Sequence, residues 1–425
     1  MQLARRISQS FFLIFFIYLF FKATFPYDAV IPSDIFLRSD PLVAITTIIM
    51  STEFLIGTFI IAFIFIILTV FLGRVFCGWV CPLGTVIDFS DRITAKARKW
   101  KNDAGRSYRV WKYSILILVL FAAILSVQLI WFMDPIALIT RTFTLTIYPV
   151  FSFFVESIFN LLIKLGWFED TVFSLYDSFR GSIIPLEPLH FQQSVAVVLM
   201  FGGILGLGLL AKRFWCRYLC PLGAFYALLS KFRILKRSVN DNCIDCGRCY
   251  RNCKMDAITE DFRSYSRFEC IECMNCVNIC PTDAFEYSLK AERSPIKTDV
   301  SKRRFVFSGL AGLMAVGITK TAFMDKNNVD IAIRPPGALE EDEFLDRCIR
   351  CQECVKICST TGRYLQPALL ESGWEGIWTP IADPRSGYCE YDCVLCGKVC
   401  PTGAIHSLTV EQKKKLPLGT ARFNK

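Results

Sequence analysis

Apolar residues fall along this chain in long runs with the charged residues gathered between them, and the run lengths are those of membrane helices. Residues 7–25 predict a first span. Arg5 and Arg6 precede it, which predicts a cytoplasmic N-terminus. The run at 42–72 is too long for one straight span, so its first part predicts a short tilted or re-entrant helix. Residues 113–133 and 193–211 predict a third and a fourth span. Another run, 143–165, contains Pro149, Glu156 and Lys164. Counting it as a span would put the basic segment 212–237 outside, against the positive-inside rule. It therefore predicts an interfacial helix inside an outer insertion, 141–192. A milder, Gly-rich run at 305–323 predicts a fifth span, with the chain beyond it periplasmic.

The second half of the membrane region repeats the first. Asp40-Pro41-Leu42 corresponds to Asp134-Pro135-Ile136, and the segment Arg74 to Gly84 corresponds to Arg213 to Gly223. Such a repeat sets equivalent groups on either side of a pseudo-twofold axis. Each Asp-Pro pair has the chemistry of a helix start, with Asp as cap and Pro in the first turn. An acid at that depth is also a candidate proton acceptor, as is Glu53 beside its apolar run. His190, just outside the fourth span, reads as a surface histidine.

Composition narrows the class. More than half of the 425 residues are apolar and 38 are Phe. Two histidines and no C-x-x-C-H argue against a cytochrome. The net charge of +10 is compatible with nucleic acid, but the basic residues cluster beside the apolar runs, Arg92 to Lys112 above all, and so report membrane topology. All 20 cysteines lie in close-spaced sets. Cys243, Cys246, Cys249 and Cys253, then Cys270, Cys273, Cys276 and Cys280, are two copies of C-x2-C-x2-C-x3-C, the thiolate spacing of a two-cluster bacterial ferredoxin. Three cysteines wrap one 4Fe–4S cube and the fourth reaches the other. The expected sets are Cys243, Cys246, Cys249 and Cys280, and Cys270, Cys273, Cys276 and Cys253. Zinc needs only four ligands, and disulfides between cysteines packed this closely are strained. Near the C-terminus the same logic gives Cys348, Cys351, Cys354 and Cys400 as a third set, with Cys389, Cys393, Cys396 and Cys358 as a fourth.

Cys77, Cys81, Cys216 and Cys220 form two C-x3-C-P motifs. Positions four apart share a helix face, so each pair presents two sulfurs together. The four thiols have three readings: a further metal centre, a dithiol relay, or small apolar packing before a Pro-Leu-Gly helix end. The predicted fold is a multi-pass α-helical membrane domain of four repeated spans plus a fifth, with two small α+β bacterial-ferredoxin-like domains. Its boundaries are 1–237 for the membrane domain, 238–295 for a cytoplasmic ferredoxin unit, 296–325 for a fifth span, and 326–425 for a periplasmic ferredoxin unit.

Ser301-Lys302-Arg303-Arg304-Phe305-Val306 resembles a twin-arginine export signal. Residues 1–290, with Arg5-Arg6-x-x-Gln, both C-x3-C-P-L-G motifs and a ferredoxin segment, resemble the NapH/MauN membrane ferredoxin-type proteins. Residues 301–425 resemble the NapG/MauM periplasmic ferredoxin-type proteins, though with two cluster motifs where that family usually carries four. The chain thus looks like a fusion of the two. The resemblance implies quinol oxidation, four 4Fe–4S clusters, contact with the quinone pool, and delivery of electrons to a periplasmic reductase or cytochrome-type acceptor in a bacterial inner membrane. Candidates for the quinol chemistry are Asp40, Glu53, Asp134 and the C-x3-C-P cysteines. The nearest alternative resembles the CcoG-like proteins, with copper reduction or oxidase assembly as the task. A non-catalytic redox or maturation component is the third class. A bilayer core of about 30 Å is too thick for one electron step between clusters on its two faces, so a mobile quinone or an intermediate centre has to bridge it.

Overall fold

The computed structural model describes the chain except residues 1, 28–30, 52–56, 98–105, 166–168, 181–183, 186–187, 289–309, 311–331, 370, 374 and 417–425. Glu53 and, apart from Leu310, the export-like segment 301–323 therefore lie outside the described residues.

Helix α1, Gln2–Lys22, is the axis on which the rest is placed. Its 21 residues give a length of about 30 Å. One face (Phe16, Leu19, Phe20) is buried, while Ile7, Phe11, Ile14 and Tyr18 are exposed. An apolar surface of this kind, continued by Ile60, Ile64 and Ile67 on α4 (Ile60–Leu72), suits lipid. The second run divides as its length requires, into α3 (Pro41–Met50) and α4.

The helix lengths differ from the expected four spans. Among the described residues, two helices are long and apolar enough to cross a membrane: Gln2–Lys22 and Pro135–Lys164. The third expected span ends early. Helix α6 covers Val110–Ile124, after which Ser126 takes a positive φ of 55° and Gln128 is buried. The fourth is Ser194–Leu209, a 13-residue α-helix closed by a 3-10 turn. The separate interfacial helix expected over 143–165 gives way to one continuous helix of 30 residues that starts at Pro135. Pro149 does not break it. A π-helical turn, Phe143–Ile147, precedes the proline and carries Tyr148 N–H to Phe143 O, so the proline sits at the start of a new helical stretch where its missing N–H costs little.

Two small units flank the bundle. The first holds a two-stranded antiparallel sheet, Lys236–Val239 with Phe285–Ser288, and two short helices, Arg248–Arg251 and Asn275–Ile279. The second pairs Leu365–Pro367 with Pro380–Ala382 and adds Glu341–Arg347, Glu353–Cys358 and Leu395–Lys398. They sit at opposite ends of α1. At one end, Gln2 Nε2 donates to Asn275 Oδ1 at 2.8 Å and Arg5 reaches Cys273 O at 3.3 Å. At the other, Lys356 Nζ lies 3.4 Å from Ala23 O, and Thr360 Oγ1 accepts from Phe25 N–H at 3.2 Å.

Candidate iron–sulfur and thiol sites

The first unit is docked by cations of the membrane region onto its own carboxylates and onto one carboxylate of helix α5, Pro82–Ile93. Asp88 of α5 takes Arg5 and Arg213 at 2.7 Å each and Lys254 at 2.8 Å. Burial pushes its pKa up, but Arg213, Lys254 and Arg5 outweigh this and hold it below the usual carboxylate range. Arg109 and Arg217 meet Asp256 at 2.8 and 3.0 Å. Glu269 takes Lys112 and Arg74, at 2.5 and 3.5 Å, and Arg233 pairs with Glu272. Against its burial, Lys112 and Arg74 lower Glu269 to about 2. Reading the basic residues as topology signals missed this docking role. Some of the partners do sit next to cysteines in the chain, Arg74 and Arg213 before the C-x3-C-P motifs and Asp256, Glu269 and Glu272 among the ferredoxin cysteines, but that placement does not say which cation meets which acid.

Cys253, Cys270, Cys273 and Cys276 line one cavity of about 420 Å³. Cys348, Cys351, Cys354 and Cys400 line another of about 350 Å³. Cys358, Cys389, Cys393 and Cys396 lie within electrostatic reach of one another. Cys243, Cys246 and Cys249 gather likewise, while Cys280 follows helix Asn275–Ile279 and accepts from Ala284 N–H at 3.4 Å. Three of the four sets thus combine a cysteine triplet with the fourth cysteine of the other motif. The donors suit iron–sulfur clusters in a further way. Ala257 N–H points at Cys253 Sγ at 3.2 Å, Leu365 N–H at Cys358 Sγ at 3.4 Å, and Arg237 at Cys276 Sγ at 2.9 Å, contacts that favour anionic sulfur. Among the described residues, no three Cys, His, Asp or Glu side chains are placed to hold a single metal ion.

The C-x3-C-P motifs are not ordinary helix faces. Phe76–Val80 and Trp215–Leu219 are π-helical turns, and Cys81 and Cys220 leave them in extended conformation to cap the next helices, α5 and Pro221–Leu229. Their sulfurs accept from Gly84 and Gly223 N–H at 3.4 and 3.2 Å. The two copies interlock. Arg213 donates to Cys77 O at 3.2 Å and to Gly84 O at 3.0 Å. Arg74 Nη2 lies 3.0 Å from where a Cβ on Gly223 would stand. All four sulfurs come within electrostatic reach of one another. Cys77 and Cys216 also pack against Met255, Ala257 and Ile271, the same apolar patch that Cys253, Cys270 and Cys273 touch.

Asp40 and Asp134 do cap their helices. Asp40 accepts from Leu42 and Val43 N–H, and Asp134 from Ile136 and Ala137 N–H. The structure also brings the two carboxyls near each other, and the oxygens that capping leaves over, Asp40 Oδ2 and Asp134 Oδ1, are buried without a hydrogen-bond partner. Tyr226 stands near this pair and near Cys77 and Cys81. His190 is exposed.

Models described as 4Fe-4S binding domains match residues 54–101 and 193–240, residues 265–286, and residues 240–256 and 345–361. The putative electron transport protein YccM of Escherichia coli is 25% identical over 59% of each chain. The ferredoxin-type protein NapH of Haemophilus influenzae is 25% identical over 52% of this chain and 64% of its own. The methylamine utilization ferredoxin-type protein MauM of Methylorubrum extorquens is 36% identical over 28% of this chain and 56% of its own. This is an iron–sulfur electron-transfer protein. It is related to the NapH and YccM proteins, and its match spans 56 to 64% of the length of these three relatives. No solved structure matches the chain.

Proposed function

We propose that the chain is a membrane quinol dehydrogenase-like relay that oxidises quinol and passes electrons to a periplasmic redox partner. The reading is carried by one observation: cysteine-rich units stand at the two ends of a single helix of crossing length. The basic residues crowd the first unit, which supports a cytoplasmic place for that unit and a periplasmic one for the second. Its clusters are held by Cys243, Cys246, Cys249 and Cys280; Cys270, Cys273, Cys276 and Cys253; Cys348, Cys351, Cys354 and Cys400; and Cys389, Cys393, Cys396 and Cys358. When bound, each supplies one-electron chemistry. Cys77, Cys81, Cys216 and Cys220 form one further centre. Two cysteines per motif are too few for a cluster, but the interlocked pair supplies four. Buried guanidinium N–H groups of Arg74 without a hydrogen-bond partner beside Cys77 and Cys220 suit an anionic thiolate set.

The test is anaerobic mixing of the purified protein with a reduced menaquinol analogue, followed by EPR. Reduced-cluster signals are expected. Clusters that stay oxidised with quinol, although their measured potentials lie within its reach, would remove the quinol step and leave an electron carrier with another donor.

A further inference from the structure

Beside the second unit lies a cavity of about 500 Å³ where the end of the third apolar run meets helix Glu341–Arg347. Gln128, Trp131, Leu345 and Arg350 line it. Gln128 is 4% exposed, and neither its Nε2 nor its Oε1 has a hydrogen-bond partner. Leaving a buried polar atom unpaired costs its full desolvation penalty. The position therefore calls for a partner with both an acceptor and a donor.

We propose that this cavity binds the head group of the quinone pool, an inference that rests on the quinol reading above. Four features select that ligand over water alone. An amide serves both oxidation states: its NH2 donates to a quinone carbonyl and its carbonyl accepts from a quinol hydroxyl. The half-buried indole of Trp131 lines the cavity and is held by Arg350, its guanidinium carbon 4.1 Å from the ring centroid, and more loosely by Arg141 and Trp378 at 5.6 Å, which leaves its exposed part an apolar edge for a ring to meet. Arg350 belongs to the loop between Cys348 and Cys351, so a head group here touches the segment that carries the third cysteine set. Ile124 and Phe132, 63% and 46% exposed on either side of the lining, form an apolar approach from the bilayer. Oxidation of a quinol releases two protons with its two electrons. Asp346 and Glu375 also line the cavity, which places carboxylates where those protons leave.

The test is equilibrium binding of menadione to the full-length, cluster-loaded protein in detergent, comparing wild type with Gln128→Leu and Leu345→Trp. Gln128→Leu keeps the side-chain bulk and removes two unpaired polar atoms, so its Tm should be equal or higher, which separates loss of ligand from loss of fold. Binding should weaken about tenfold in Gln128→Leu. Leu345→Trp, which fills the space, should abolish it. Wild-type affinity in both variants overturns the site, and if quinol still reduces the clusters in them the functional reading stands without it. Absence of menadione binding and of quinol-driven cluster reduction in wild type overturns both.

Discussion

Asp34 shows how a single buried carboxyl reports on the joint between the membrane region and the second unit. It is 1% exposed, with Oδ2 held by Arg38 at 2.7 Å and Oδ1 without a hydrogen-bond partner, and it lies near Glu353 of the second unit. Burial raises its pKa to about 6, against the opposing charge of Arg38. A carboxyl whose pKa rises on folding binds its proton more tightly in the folded state. The stability it contributes is complete below the unfolded value of about 4 and is lost as pH climbs through 6. Asp34→Asn cannot titrate and still accepts from Arg38. At pH 7.5 it should be more stable than wild type by roughly 2–3 kcal/mol, and the difference should shrink on acidification to pH 5. Thermal unfolding in detergent at the two pH values measures this. An Asn variant that is less stable at pH 7.5 would mean that the charged pair with Arg38 outweighs the burial cost.

At the scale of elements, the C-x3-C-P repeat is an interlocked pair of π-helical turns, and its asymmetries do the docking. Gly78 and Arg217 occupy equivalent positions in the two copies. A Cβ on Gly78 would come within 2.3 Å of Ile271 O, while Arg217 ties down Asp256. Gly78→Val should therefore lift the first unit off the membrane region, at a cost of about 1–3 kcal/mol. Limited proteolysis between residues 238 and 288 should show faster cleavage, and an unchanged rate would mean that the loop simply shifts. The double variant Cys81→Ser/Cys220→Ser keeps an oxygen to cap both helices. It should lose about two to four irons per chain, one cluster's worth, while the ferredoxin EPR signals persist. Unchanged iron content, or stoichiometric zinc or copper in wild type, would remove an iron–sulfur centre from these thiols. The motifs themselves were legible because thiolate spacing is local, and so were the Asp-Pro caps. The contact of Asp40 with Asp134, the crossing of Arg213 to Gly84, and the carboxylates Asp88 and Glu269 were not. Those partners lie far apart in the chain, and nothing in their neighbouring residues encodes the pairing.

For the whole molecule, the gap in the sequence reading was how electrons cross an apolar core about 30 Å thick. In the structure that distance is not empty. From the first unit, Cys77 and Cys216 touch the patch shared with Cys253, Cys270 and Cys273, and Tyr226 leads on to the Asp40–Asp134 pair. Arg141 stands near both Asp134 and Cys351 of the second unit. Cys81, Cys220 and Cys351 belong to one continuous core. The continuity of the helix from Pro135 through Lys164 was not legible for a related reason. The positive-inside rule weighs flanking charges, whereas the π-helical turn that carries the helix past Pro149 is a backbone adjustment with no charge signature. The sidedness itself is open to a direct measurement. Arg5, Arg109, Lys112 and Arg213 all lie with the first unit, while Arg141, Arg350 and Lys356 at the contact with the second are each stacked on an aromatic ring. Alkaline phosphatase fused after Lys425 should therefore be active in intact cells, and a fusion at Ser288, truncating the chain there, inactive. An inactive phosphatase after Lys425, paired with a fluorescent cytoplasmic reporter at the same point, would put both units on one side and leave α1 to contact them without crossing between compartments.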